Sequence, residues 1–531
     1  MKLNPLFLLL IAFFLMGPVV QLPAQNLAEA EESKQKGDVA KADKFLFSEN
    51  YSAALEEYLL ILEEFPENTK VNYNIGVCYL NSDFDKVRSI PYFQKVLFYD
   101  PDAANAYYMM GLAYHYDHQF DRAIDMFNNF KKFYYPGLEY SVEDADKEIE
   151  FCENAYQLAK FPVQCTFENL GPSINSEYPD YFPYIPLDES FVVFTSQRND
   201  GSELLKNGEY ASNIYISKVV DGNFAPAQQI GGDYNTPDQS ETVIGLSGDG
   251  KTLLVYEMKN NYSTGDVATA NFDESSNIQD LHVLDNNINS KYSEIAASIS
   301  SDGNTIYFAS DRPGGFGGTD IWRSKKLPIG KWGIPENMGA SINTDEDEDF
   351  PNISPDGKTL YFSSKGHFSM GGFDIYKAAW DSELRVFDNP RNLGYPLNSG
   401  QDDVNYRESR SGRYGYISKV LPEGYGDLDI YRVTITEIEP EFTVLKGHIK
   451  GAGGKQVDVP SITVTDEVTQ DLFGVYAPNP KSMRYIIIVP PGKYEVLIEA
   501  DGFQSVTNKI DVLGKSSFRS EIDEDIVLKP E

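Results

Sequence analysis

The chain has 531 residues and a formal charge of −36, from 81 acidic and 45 basic side chains. That balance excludes a nucleic-acid role, because neutralising phosphates needs clusters of Lys and Arg, and it disfavours anionic membrane surfaces. The length suits about three or four domains, and three cysteines in so long a chain do not make a disulfide framework.

The N-terminus reads MKLNPLFLLLIAFFLMGPVVQLPAQN. One Lys precedes an apolar run of about 11 residues, well short of the roughly 20 that span a bilayer. Gly17-Pro18 breaks the run, and small residues lead to Ala24. These features predict a cleaved export signal over residues 1–24. No Cys lies near the cleavage position, so no lipid anchor is expected, and no later segment is long and apolar enough to span. Cys78 reads as a buried helical residue. Cys152 and Cys165 are left with two options, pairing across a domain boundary or staying free.

Residues 27–160 are helical by period. Units ending at Pro66, Pro101 and Pro136 place Tyr73, Gly76, Tyr79 and Phe93 in one copy and Tyr107, Gly111, Tyr114, Ala123 and Phe127 in the next. This order resembles the tetratricopeptide repeat, about 34 residues of paired helices. The glycines let helices approach and the aromatics fill the space between them, so these residues read as core. The resemblance implies a concave groove for peptides, with Asn72, Tyr108 and Met109 as candidate partner-binding residues. A final helix over residues 141–160 would cap the stack.

Near Phe161 the period changes from 3.6 to 2, and a motif recurs five times up to about residue 436. Its clearest copy is SINTDEDEDFPNISPDGKTLYFSS, residues 341–364. An Asn opens each copy (Asn175, Asn235, Asn289, Asn343, Asn398). A tight turn follows, Asp-Gly in three copies, and then an apolar strand. Four copies add a second strand marked by Asn213, Asp320, Asp374 or Asp429 before an Ile. The second copy reads DVATANF and is expected to lack it. Turns at steps of roughly 50–60 residues mean propeller blades of four strands. The motif resembles the TolB-like, WD-type β-propeller. Five blades are predicted, with six as the alternative. Residues 163–170 (VQCTFENL) are expected to supply the outer strand of the last blade and close the ring.

Residues 441–531 read as strands around PPGKY and ADGF. They resemble the carboxypeptidase regulatory-like domain, a prealbumin-type β-sandwich without peptidase activity. The predicted fold is therefore multidomain, α then β.

The search for chemistry finds no catalytic centre. His115 and His118 fall at a helix bend and read as a solvated loop. The Gly-rich run 313–318 precedes no helix, so it cannot offer a helix N-terminus to phosphate. The acidic run 345–349 reads as a solvated loop or, less favoured, a Ca²⁺ site. Asp320, Asp374 and Asp429 read as turn caps. The chain is expected not to be an enzyme and to need no cofactor.

The order of modules resembles the PorE type of periplasmic protein, a component of the type IX secretion and gliding apparatus of Bacteroidetes. That family continues into a peptidoglycan-binding OmpA-like domain, and this sequence stops where it would begin, so peptidoglycan attachment is not carried over. The resemblance implies a periplasmic, non-catalytic scaffold for envelope or outer-membrane proteins. The alternative reading is a glycan- or peptidoglycan-fragment-binding protein that uses the propeller face, with the abundant tyrosines stacking on sugars.

Overall fold

The computed structural model describes residues 37–82, 86–231, 234–235, 240–259, 264–272, 277–436, 442–512 and 519–531. The export signal expected over residues 1–24 lies outside them.

Among these residues seven α-helices come first: α1 (Val39–Phe47), α2 (Tyr51–Glu64), α3 (Thr69–Leu80), α4 (Ile90–Tyr99), α5 (Ala104–Tyr116), α6 (Phe120–Phe133) and α7 (Val142–Leu158). Local side chains set their starts. Asp38, Asn50 and Asn68 each accept a backbone N–H of the first turn, and Ser141 and Asp144 form a reciprocal capping box on α7. Two glycines explain how closely the helices pair. A Cβ on Gly76 would fall 2.6 Å from the ring of Phe93, and one on Gly111 would fall 2.7 Å from the ring of Phe127. Both rings are fully buried. Each lies on the bare backbone of the preceding helix, which only Gly allows.

The described residues that follow are mainly β-structure, and their first part is of propeller type. Five antiparallel sheets follow one another. Their second strands are Phe191–Ser196, Thr252–Lys259, Thr305–Ser310, Thr359–Ser364 and Tyr414–Lys419. These are the apolar strands that recur in sequence. Alternate residues of one strand serve two seams, as the two-residue period requires. Phe308 packs with Leu254 of the sheet before, and Tyr307 packs with Leu360 of the sheet after. The seam between the fifth and first sheets has its own cluster, in which Val192 and Phe194 pack on Ile430. The fifth sheet takes its outer strand from Cys165–Asn169, antiparallel to Asp429–Ile435, with Cys165 opposite Ile435. The segment 163–170 therefore supplies the strand expected of it.

The recurring Asn is a clamp between sheets. Asn235, Asn289, Asn343 and Asn398 each accept the N–H and bind the C=O of one residue in the third strand of the preceding sheet: Ile214, Val267, Ile321 and Ile375, at 2.8–3.0 Å. Asn175 does the same to Ile430, which joins the first sheet to the last. The partner is the residue after the signature Asp, or after its substitute Asn213. The second sheet was expected to lack this signature. Asp266-Val267 fills it, because the clamp reads only backbone atoms and accepts Val for Ile. Asp320, Asp374 and Asp429 cap the turns before them, accepting the N–H of Phe316, Met370 and Tyr425 at 2.7–2.8 Å.

A Gly follows each of these capped residues. A Cβ on Gly426 would lie 2.4 Å from the carbonyl oxygen of Glu177, backbone against backbone across the closing seam. Gly426→Ala is expected to cost about 1–3 kcal/mol through overpacking. Thermal melting checks it, and an unchanged midpoint would show that the seam yields freely.

Residues 442–512 and 519–531 form two further sheets. In one, Thr443–Gly451 pairs with Arg484–Val489 and, in parallel, with Glu521–Asp523 and Ile526–Leu528. In the other, the order is Leu472–Tyr476, Ser461–Asp466, Gly492–Glu499 and Val506–Val512. Ile462, Val464, Val496 and Ile498 from one sheet and Leu445 and Ile487 from the other share one buried core.

Candidate functional site

The structure offers two places where side chains from distant parts of the chain converge. The first is the junction of helices, propeller and C-terminal sheets. Helix α7 faces both neighbours. Asn154 Nδ2 donates to the Ser369 carbonyl at 2.8 Å, and beside it His115 Nε2 lies 2.8 Å from the Met370 carbonyl. On the other side, Arg484 Nη1 meets Glu153 Oε2 at 3.2 Å and Nη2 meets Glu150 Oε1 at 3.4 Å. Ser482 Oγ donates to Glu153 at 2.8 Å. The sheets and the propeller meet directly, with Ser520 N–H and Oγ–H bonded to Asn389 Oδ1 and the Pro390 carbonyl. An apolar plug of Phe368, Val444, Ile486 and Ile488 fills the middle. Next to it is a cavity of about 270 Å³, walled by Leu158, Phe161, Val163, Leu393 and Phe442 and edged by Gln164, Asn392 and Ser520.

The second place is the propeller axis, at the end that bears the Asp-Gly turns. The cavity there is about 60 Å³ and is lined by Tyr184, Leu246, Ser298, Asn352 and Arg407, one from each of the five sheets. This leaves room for about four waters. Nearer the opposite end, Phe182 and Phe350 pack with ring centres 5.2 Å apart. Both hold positive φ, 53° and 50°, which turns these residues out of regular strand geometry.

A buried carboxyl recurs once per sheet: Asp180, Glu241, Glu294, Glu348 and Asp403. Asp180 meets Arg198 at 2.5 Å and Glu294 meets Arg312 at 2.9 Å, while Asp403 holds Lys419. Glu348 has no cation among the described residues. Gly366 stands two residues after Ser364, where Arg312 stands after Ser310. His367 instead reaches the Ile342 carbonyl at 2.9 Å, as Arg312 reaches that of Ile288. Burial keeps His367 below its usual pKa, hence neutral. Burial also pushes the Glu348 carboxyl up to about 7, against the pull of its Thr344 and Ser364 donors. Its neighbour Asp349 is likewise pushed up to about 7, by burial first.

The residues singled out in sequence fall as follows. Asn72, Tyr108 and Met109 were expected to line an open groove and are all buried. Asn72 bonds the carbonyls of Pro66 and Asn68, and Tyr108 stacks on Tyr140 with ring centres 3.9 Å apart. Their helix faces pack against the next helix, so they serve the core. His115 was expected in a solvated loop and is also fully buried. The last turn of α5, which carries it, sits on the Met370 turn of the propeller, a contact between modules that helix period alone does not reveal. The acidic run 345–349 does not gather round one point. Asp347 pairs with Lys365 at 3.1 Å, Glu346 with Lys147 at 3.4 Å, and Glu348 and Asp349 point into the core. The Ca²⁺ reading of that run is corrected accordingly. Among the described residues no group of three or more His, Cys, Asp or Glu could hold a metal ion. Cys78, Cys152 and Cys165 are free thiols. Sequence reasoning missed Arg407 and Arg484. Arg407 sits where other copies carry Tyr184, Ser298 or Asn352, and that departure was the available signal.

No known family profile and no curated protein sequence matches the chain. Among solved structures, it is similar to TolB from Acinetobacter baumannii, at 14% identity over 56% of this chain and 71% of that one, with a TM-score of 0.30. It is similar to a levansucrase from B. subtilis at 11% identity, covering 54% and 92% with a TM-score of 0.38. It is also similar to an alpha-L-arabinofuranosidase from Lactobacillus brevis at 11% identity, covering 52% and 93% with a TM-score of 0.32. These likenesses concern the fold. Two of the three are enzymes, so the expectation that the chain is not an enzyme does not stand: a propeller-type architecture is no mark of a non-catalytic protein.

Proposed function

We propose that the chain is a binding scaffold of the cell envelope. In this reading residues 27–160 form a tetratricopeptide-type solenoid, residues 161–436 a five-bladed propeller and residues 441–531 a carboxypeptidase regulatory-like sandwich. Together they hold envelope or outer-membrane proteins of a secretion or gliding assembly. Residues 1–24 would direct export to the periplasm. No described helix is long and apolar enough to cross a membrane.

The observation that supports this best is the junction. Helix α7 binds the propeller through Asn154 and the C-terminal sheets through Glu153, so the outer surfaces of the modules keep a fixed relation. Aromatic residues stand out along the helical part. Phe65, Phe98 and Tyr135, at the ends of successive helix pairs, are each more than half exposed. Exposed aromatics are what protein interfaces use most. A glycan on the axis has less support, because that cavity holds only about four waters.

Capture with the full chain from crosslinked envelope fractions should recover specific envelope proteins. The triple variant Phe65→Ser, Phe98→Ser, Tyr135→Ser should lose at least tenfold of that yield while keeping its circular dichroism. A parent chain that elutes alone under gentle extraction would sink the proposal.

A further inference from the structure

We propose that the axial cavity of the propeller binds a small monovalent anion, chloride or a carboxylate of acetate size, on Arg407. This goes beyond the scaffold reading and does not depend on it.

Arg407 is 8% exposed and lines the cavity of about 60 Å³. Nε donates to Asn405 Oδ1 at 3.0 Å and Nη2 to the Tyr184 hydroxyl at 2.7 Å. The guanidinium lies over the Tyr184 ring, 4.0 Å from its centre. Among the described residues no group bonds Nη1 and no carboxylate lies within ion-pair distance of the guanidinium. The other buried or nearly buried arginines differ. Arg198, Arg312 and Arg484 each face a buried carboxylate. A guanidinium cannot shed its proton at any working pH, and a buried charge without a counter-charge is costly. Two acids share the wall, and each is engaged by a hydroxyl rather than by Arg407: Glu408 accepts from Tyr361 at 2.9 Å and Glu189 from Tyr414. Arg410, also on the wall, offsets one of these two acids.

The missing partner is thus an anion, and the cavity limits its size. Space for about four waters suits chloride or acetate better than a sugar or a nucleotide. Two further donors are at hand. The Tyr184 hydroxyl accepts from Arg407 and keeps its own proton to give. Ser298 Oγ accepts the Ile353 N–H at 3.2 Å and likewise keeps its proton. Ile185, Ile299 and Ile353 supply a dry wall, which favours a weakly hydrated single charge over sulfate.

The test uses the full chain. Melting is followed in chloride, bromide, acetate and sulfate at constant ionic strength, and crystals are soaked in bromide. The first three anions should raise the midpoint by about 2 °C at a tenfold excess over Kd, and sulfate should not. Bromide should give an anomalous peak about 3.3 Å from Arg407 Nη1. Arg407→Lys should keep part of the anion response and Arg407→Gln should lose it. If Arg407→Gln does not fold, the lysine variant and the bromide peak still decide. Equal midpoints in all four salts, with no bromide in the cavity, overturn the proposal.

Discussion

Replacing Arg484 by Ala should destabilise the protein by about 3–5 kcal/mol, the usual cost of leaving one member of a buried ion pair without its partner. Arg484 is 8% exposed and Glu153 7%, so solvent cannot take the place of either. Burial already pushes the Glu153 carboxyl up, with Arg484 and Ser482 pulling it back. Without the arginine, the Glu153 carboxyl would be pushed up further. The damage should fall on the contact between α7 and the C-terminal sheets. Lys481, whose Nζ meets Asp125 at 2.6 Å, would remain as an exposed and weaker tie. Urea unfolding should change from a joint transition to two, and proteases should reach residues 477–484 sooner. The double variant Arg484→Met, Glu153→Leu should recover much of the loss, since it buries no lone charge. A single-site variant with the parent's unfolding curve and cleavage pattern would show that the junction does not rest on this pair.

The second large effect is a pH dependence. Asp349 is pushed from 3.8 to about 7 and Glu348 from 4.5 to about 7, both by burial. Their folded values lie above their unfolded ones, so between pH 4 and pH 7 the folded chain holds protons that the unfolded chain has released. Their contribution is fully present below the unfolded values and is lost as pH rises through 7. For Asp349 alone, 3% exposed, a rise of about three units corresponds to on the order of 4 kcal/mol. Asp349→Asn cannot ionise. Compared with the parent, it should gain on the order of 4 kcal/mol between pH 4 and pH 8. Measuring urea midpoints of both proteins across that range isolates the site from other titrating groups. Parallel curves would mean that Asp349 is ionised in the folded protein throughout.

Much of the propeller could be read in sequence because its parts repeat. An apolar strand, an Asp-turn and an opening Asn each recur at fixed offsets, and each has one local physical job. The outer strand Cys165–Asn169 was readable for the same reason, since Asn169 matches Asn392 and both bind the clamp asparagine that follows, Asn175 or Asn398. What the Asn does was not readable, because its partner belongs to another sheet, the preceding one in four copies and the last one for Asn175. Asp266-Val267 was missed because Val replaces Ile at a place where only backbone atoms are bound.

The helical part shows the opposite failure. Tyr108 and Met109 look like groove residues if the helices are taken one pair at a time. They are core because α6, α7 and Tyr140 cover them. His115 was assigned to solvent because nothing local announces that the end of α5 meets Met370, 255 residues further on. Arg407 and Arg484 are single departures from an otherwise apolar or neutral pattern. A repeat-based reading treats such departures as variation, and the structure shows them as buried charges.

The outer strand that joins both ends of the propeller also sets an order of events during synthesis. Glu168 is made early, and its partner Arg432 follows 264 residues later. Until then the Cys165–Asn169 strand has an open edge and the fifth seam is wet, a state prone to pairing with other chains. The helices need none of this and can form as soon as they emerge. The C-terminal sheets then dock against an α7 that has been waiting, and their arrival is possible only once the ring has brought residue 442 back beside residue 161. Closure of the ring and assembly of the junction are therefore one late, long-range step, and a chain cut short before residue 435 would leave its first strand without a place to go.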